Sequence, residues 1–166
     1  MDVNIMEECF VFSTGIFIFF FLLSCYLLRN KFSLMFIFSM GCVFNALVNI
    51  ILKLLIQSPR PRESTRVFAL EIMHNNRCGN SKIGYDRYGM PSGHAQQFLY
   101  MTVFIYFALR NSNITMFYLT VSLFVCIQRI VYNHHTIFQV IVGAIIGCII
   151  GKMVYDYGNT QIIHLK

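Results

Sequence analysis

FSLMFIFSMGCVFNALVNIILKLLI, residues 32–56, carries a single charge, Lys53, near its end. A helix rising ~1.5 Å per residue crosses a hydrocarbon core of ~30 Å in about 20 residues, so the stretch reads as a membrane-spanning helix. Asn45, Asn49 and Lys53 recur there every four residues, on one helix face. A polar stripe in a membrane helix faces protein rather than lipid. Upstream, residues 10–28 are nearly pure Phe, Ile and Leu, and the basic turn Arg29-Asn30-Lys31 joins them to the next run. Asp2, Glu7 and Glu8 precede them where a cleaved signal peptide wants positive charge, so this is read as a retained span. Downstream, residues 57–91 hold three Pro and five Arg, and a loop of this length without clear secondary structure is usually functional or disordered. Apolar runs resume at 95–109, 114–127 and 137–154. The third and fourth runs are short, and reach spanning length only if their helices continue into the polar motifs beside them. The expectation is an all-α integral membrane fold, a compact bundle of about five transmembrane helices forming one domain over residues 1–166.

Composition agrees. Of the 166 residues, 57% are apolar and 12% charged, whereas a soluble domain has nearer a quarter charged. Thirteen Lys plus Arg against seven Asp plus Glu leave a net charge of +6, which calls for anionic partners. Nucleic acid is excluded as that partner, because a groove-binding protein needs a solvated basic face. A membrane protein handling a phosphate-bearing molecule fits both facts, with membrane lipids as its surroundings. Cys9, Cys25, Cys42, Cys126 and Cys148 lie in or beside apolar runs and Cys78 in the polar loop, with no C-x-x-C and no zinc-finger spacing. They read as packing residues.

With five spans, the N-terminus, the long loop and the turn at 129–135 share one side. The other side carries Arg29, Lys31, Arg110, Lys152 and Lys166 against the one acid Asp156, and the bias of short loops makes it cytoplasmic. Asn113-Ile114-Thr115 spells a glycosylation sequon, but on that cytoplasmic side it stays unmodified.

Three polar clusters fall on the opposite side: Lys53-x6-Arg60-Pro61, Pro91-Ser92-Gly93-His94 and Arg129-x5-His135. A phosphoryl group in transfer carries charge on its equatorial oxygens, which fixed cations stabilise. Lys53, Arg60 and Arg129 are the candidate cations, Arg offering a planar fork that matches phosphate. Ser92 and Gly93 open a helix, whose free N–H groups bind anions. His94 and His135 supply a nucleophile and a general acid. His134 is either neighbour or participant. Arg62, Arg66, Arg77 and Arg87 either meet a second phosphate or form a solvated, headgroup-facing loop surface. Asn45 and Asn49 read as helix–helix hydrogen bonds, and Gly143 and Gly147 as a close-packing seam inside the chain.

These clusters, over residues 53–139, resemble the three-part signature of the type 2 phosphatidic acid phosphatase (PAP2) superfamily, K-x6-RP, PSGH and SR-x5-H-x3-D. Two positions depart from it: Gln128 stands for Ser, and Gln139 for the Asp that orients and polarises the nucleophilic histidine. The strings Asn49-Ile-Ile-Leu-Lys53, Tyr88-Gly-Met-Pro-Ser-Gly-His-Ala-Gln96 and His135-Thr136-x-x-Gln139-Val140 are similar to the dolichyl-diphosphate phosphatases, where Gln is the ordinary residue. The resemblance implies a phosphohistidine on His135, protonation of the leaving oxygen by His94, and phosphate oxygens held by Lys53, Arg60, Ser92, Gly93 and Arg129. Gln139 would orient His135 by accepting its ring N–H. The implied substrate is a polyprenyl diphosphate, dolichyl diphosphate by branch, at the lumenal face of the endoplasmic reticulum, with neither metal nor cofactor. The family core has six helices, one more than counted here. Two rivals remain: the same chemistry on phosphatidic acid or another lipid phosphate, and a catalytically weak lipid-binding protein, because Gln139 brings no charge.

Overall fold

The computed structural model describes residues 3–61 and 88–164, with side chains over 13–61 and 88–161. Five helices follow in order: α1 (Val3–Leu27), α2 (Phe32–Ile56), α3 (Gly93–Leu109), α4 (Ser112–Val131) and α5 (Ile137–His164). Among the described residues the only β pairing is an isolated bridge between Pro59 and Tyr88. The expected all-helical bundle is therefore what forms. Arg62, Arg66, Arg77, Arg87, Cys78, Asp2 and Lys166 lie outside the described residues, and Glu7, Glu8 and Cys9 outside the described side chains.

α2 occupies the stretch read from the sequence, while the other helices outrun their apolar cores. α4 extends into its flanking motif as its length required, starting at Ser112, where the Asn111 side chain caps it by accepting from Ile114 N at 3.1 Å. It ends past Arg129. α5 continues beyond residue 154 because Gly158 keeps packing on Leu34 and Ile37 of α2. Among the described residues, Phe32–Ile56, Ser112–Val131 and Ile137–Gln161 are long and apolar enough to cross a membrane, and Ser13–Leu27 is a shorter apolar stretch. Their outer faces expose Phe36, Phe44, Leu47, Leu123, Phe124, Ile141 and Ile145, each at least 50% accessible. An apolar surface on this scale marks contact with lipid.

α3 has 17 residues, about 25 Å at 1.5 Å per residue. It touches all four other helices, with its largest interface against α5. Phe98, Tyr100, Met101, Phe104 and Ile105 are fully enclosed, joined by Phe20, Phe38 and Tyr118 from α1, α2 and α4. The polar face of α2 turns inward as expected: Asn45, Asn49 and Lys53 are all buried. Asn49 Nδ2 donates to Gln96 Oε1 at 2.8 Å, Gln96 Nε2 donates to Asn45 Oδ1 at 2.8 Å, and Asn45 Nδ2 donates to Gln97 Oε1 at 2.8 Å. This amide chain joins α2 to α3 inside the bundle.

The α3–α5 seam is closer still. A Cβ on Gly143 would meet Ser92 O at 2.5 Å, one on Gly147 would overlap Gln96 O, and one on Gly151 would meet Tyr100 O at 2.8 Å. Residues 143, 147 and 151 thus face 92, 96 and 100 turn by turn, and the two backbones touch. Gly147→Ala is expected to destabilise the full chain by about 1–3 kcal/mol through overpacking, read as a lower thermal midpoint in detergent. Gly15→Ala, where a Cβ meets nothing within 4 Å, is expected to leave the midpoint unchanged or slightly raised.

Candidate active site

The helices alternate in direction, so residue 13 of α1, the end of α2, the start of α3, the end of α4 and the start of α5 meet at one end of the bundle. At the other end Lys31 Nζ donates to Ala108 O at 2.8 Å, closing the last turn of α3, and Asp156 pairs with Lys152.

Arg129 sits in the last turn of α4, 3% exposed. Its Nη2 donates to Ser13 Oγ at 3.0 Å and lies 2.7 Å from His94 Nε2 and 2.9 Å from Nδ1. A guanidinium only donates, so His94 meets it with a lone pair. Beyond α4 the chain folds back through Asn133, whose φ of 55° is left-handed, a conformation Asn tolerates. His134 N and His135 N both donate to the Arg129 carbonyl, at 3.1 and 3.2 Å. That turn hangs both imidazoles beside the guanidinium.

His135 is 5% exposed, and its Nδ1 lies 2.8 Å from the Gly89 carbonyl. A carbonyl only accepts, so Nδ1 carries the hydrogen and Nε2 is left with its lone pair. Burial, then Arg60, Lys53 and Arg129, push the pKa of His135 down to about 3 despite the Gly89 bond. Burial, then Arg129 and Arg60, push that of His134 down to about 4. Both rings are neutral at physiological pH because fixed cations face them in a desolvated place.

Lys53 is buried in the last turn of α2, which ends at left-handed Gln57, φ 50°. The chain then runs to Arg60 clamped against residues 88 and 89: Gly89 N donates to Ser58 O at 2.7 Å, beside the Pro59–Tyr88 bridge. Ser92 is the N-cap of α3, but its hydroxyl makes no capping bond and is buried without a partner among the described residues. Gly93 follows, held over Asn49 Oδ1, which its Cβ would meet at 3.2 Å. Lys53, Arg60, Ser92, Gly93, His94, Arg129, His135 and Gln139 therefore lie at this end of the bundle, while the loop arginines lie outside the described residues.

One expected contact is different. Gln139 does not accept from His135. Its Nε2 donates to Pro59 O at 2.8 Å and Ser58 Oγ at 3.2 Å, and its Oε1 accepts from Thr136 N at 3.2 Å. The Gly89 carbonyl takes the histidine instead. Gln139 supports it from behind, since a Cβ on Gly89 would meet the Gln139 amide at 2.6 Å. Sequence reading also passed over Ser13, a lone hydroxyl in an apolar run. It left His134 undecided; its Nε2 is buried with no hydrogen-bond partner among the described residues. Among the described residues no three His, Cys, Asp or Glu side chains group as a metal site. Cys25, Cys42, Cys126 and Cys148 are free thiols.

What the cup offers is three cations, a helix N-terminus with an orphan hydroxyl, and a neutral imidazole whose lone pair is fixed at one nitrogen. Those groups suit an incoming phosphate and a nucleophilic attack on it. A family model described as PAP2 superfamily matches residues 32–163, which takes in α2 to α5 nearly whole and all three clusters, and leaves α1 outside. No curated protein and no solved structure matches the chain.

The neutral His135 has a consequence for stability. A free imidazole titrates near 6.5 and the folded one near 3, so below pH 6.5 the unfolded chain takes up a proton that the folded chain refuses. Stability is full above that pH and falls as the pH drops toward 3, by on the order of 2 kcal/mol at pH 5 for this group alone. The thermal midpoint of the detergent-solubilised chain is expected to fall between pH 7 and pH 5, and to fall less in His135→Gln. Equal falls in the two proteins would contradict a buried neutral ring.

Proposed function

The chain belongs to the PAP2 superfamily of lipid-phosphate phosphatases, and from that membership we propose that it hydrolyses a polyprenyl diphosphate, dolichyl diphosphate by its branch-like strings, to the monophosphate and inorganic phosphate. Three long apolar helices make it a membrane protein. The basic short loops at the end away from the site support, by the short-loop rule, a lumenal site, in the endoplasmic reticulum on the dolichyl reading.

The observation that carries it is the bond from His135 Nδ1 to the Gly89 carbonyl, 2.8 Å. It leaves Nε2 as a nucleophile needing no prior deprotonation, in a cup whose cations attract the phosphate. Nε2 attacks the terminal phosphorus, the P–O bond to the inner phosphate breaks, and His94, made an imidazolium by a proton that enters with the diphosphate, gives that proton to the leaving oxygen. Lys53, Arg60 and Arg129, with the Ser92 hydroxyl and the Gly93 N–H at the start of α3, hold the phosphate oxygens. Water then attacks the phosphohistidine while His94 takes back a proton, releasing inorganic phosphate and restoring His135.

The reading of a weak, lipid-binding protein rested on the missing carboxylate at Gln139. The Gly89 carbonyl supplies an orienting acceptor without it, which favours an active enzyme. A diphosphate rather than a monophosphate is favoured by Ser92 Oγ and His134 Nε2, two buried polar atoms lacking hydrogen-bond partners among the described residues. Such atoms are costly to leave unsatisfied, and the inner phosphate brings further oxygens to meet them.

Phosphate release from dolichyl diphosphate is expected to fall at least about a thousandfold in His135→Ala, with loss of an acid-labile phosphoenzyme; release that survives the substitution overturns the assignment. His134→Phe is expected to raise KM for the diphosphate about tenfold, the loss of one hydrogen bond to a charged group, and to raise KM for a lipid monophosphate far less. Equal rises for both substrates would remove the argument for a second phosphate, and faster turnover of phosphatidic acid would transfer the chemistry to that lipid.

A further inference from the structure

α1 lies outside the residues the family model matches, yet one of its side chains reaches the centre of the site. Ser13 is fully buried. Its Oγ lies 3.2 Å from His94 Nε2 and accepts from Arg129 Nη2 at 3.0 Å. Packing sets this register: one turn on, Phe17 meets Phe98 edge-on with centroids 6.4 Å apart, and Phe98 is itself one turn beyond His94 on α3. Phe20 closes on the same ring at 5.6 Å, and further along Ser24 Oγ and Tyr118 OH are 2.9 Å apart. α1 runs alongside α3 and presents a hydroxyl to the imidazole.

The two histidines of the site thus have partners of different kinds. His135 faces a carbonyl, which can only accept and so fixes one tautomer. His94 faces a hydroxyl, which has one donor and two lone pairs and can rotate. A hydroxyl donates to Nε2 when the ring is neutral and accepts from Nε2–H when it is an imidazolium. Arg129 can do only the first, and a bound phosphate would compete for the same Nη2.

We propose that Ser13 is a positioning residue for the reaction: its hydroxyl holds the His94 ring in place in both protonation states, so that α1 completes the acid–base half of the site. This rests on the phosphatase reading above. Ser13 itself moves no proton to substrate; the proton passes from His94 to the leaving oxygen and returns to His94 from water, and Ser13 reverses its hydrogen bond each time.

The test uses the full chain in detergent micelles containing dolichyl diphosphate, as wild type, Ser13→Ala and Ser13→Thr. Ser13→Ala is expected to lower kcat about tenfold or more, with KM and inhibition by inorganic phosphate unchanged within about twofold, and Ser13→Thr, which keeps the hydroxyl, to retain most of kcat. Nitrogen-15 shifts of the histidine rings, assigned with His94→Gln, are expected to move at His94 and stay put at His135 in Ser13→Ala. Wild-type kcat in Ser13→Ala overturns the proposal, as does a change confined to KM and phosphate inhibition, which would mean Ser13 serves Arg129 alone. Should the wild type release no phosphate, the phosphatase reading fails by itself. The ring shifts then still decide about Ser13, a moved His94 signal supporting the contact and an unmoved one overturning it.

Discussion

Everything at the site depends on how closely α3 and α5 approach. Gly143, Gly147 and Gly151 lay a bare strip of backbone against Ser92, Gln96 and Tyr100. At its upper end Ser92 N donates to the Gln139 carbonyl at 3.1 Å. A helix start and the first turn of another helix are thereby bonded backbone to backbone. The sequence arms one with Ser92, Gly93 and His94 and the other with Gln139, just after His135. Even one methyl group in this seam would push Ser92 away from Gln139, and the two halves of the cup would separate. Association of membrane helices gains little from the hydrophobic effect and depends on such tight packing, so the residues that hold the bundle together also set the geometry of the chemistry.

Electrostatics explains why the cup can work once formed. Lys53 and Arg129 are buried, with Arg60 nearby, while among the described side chains the one acid, Asp156, is paired with Lys152 at the opposite end. Cations gathered in a desolvated place set up a field that draws an anion in. The same field keeps His134 and His135 neutral. A nucleophilic imidazole needs its lone pair, and in the proposed reaction the cations that would bind the phosphate also prevent its protonation. In that reaction binding and activation come from one charge distribution.

Much of this was legible in the sequence, because polarity is expensive in a membrane and therefore visible. Asn45, Asn49 and Lys53 in an apolar helix announced an inward face, and the three clusters announced a common end. Helix ends were less legible: α1 starts at Val3 and α5 runs to His164, since backbone hydrogen bonding and the contact of Gly158 with α2 continue where hydropathy stops. Ser13 was hidden because a lone serine in an apolar run most often just bonds its own helix, as Ser24 does with Phe20 O. Gly89 was hidden for a deeper reason, as its contribution is a carbonyl oxygen that every residue has.

Gln139 is the instructive case. Spacing allowed its side chain to reach His135, yet spacing says only which residues share a face, not which partner wins. Two acceptors at 58 and 59 compete for its N–H groups, and the Pro59 carbonyl at 2.8 Å takes one of them. A carboxylate could not donate there, and would set negative charge against that carbonyl oxygen. The amide thus belongs with a loop that arrives carbonyl-first, and that loop is bonded to Gly89 through Ser58. Exchanging Asp for Gln at this position therefore does more than delete a charge. It goes with a different route for orienting the histidine, in which the side chain holds the loop, the loop holds Gly89, and the Gly89 carbonyl holds the ring.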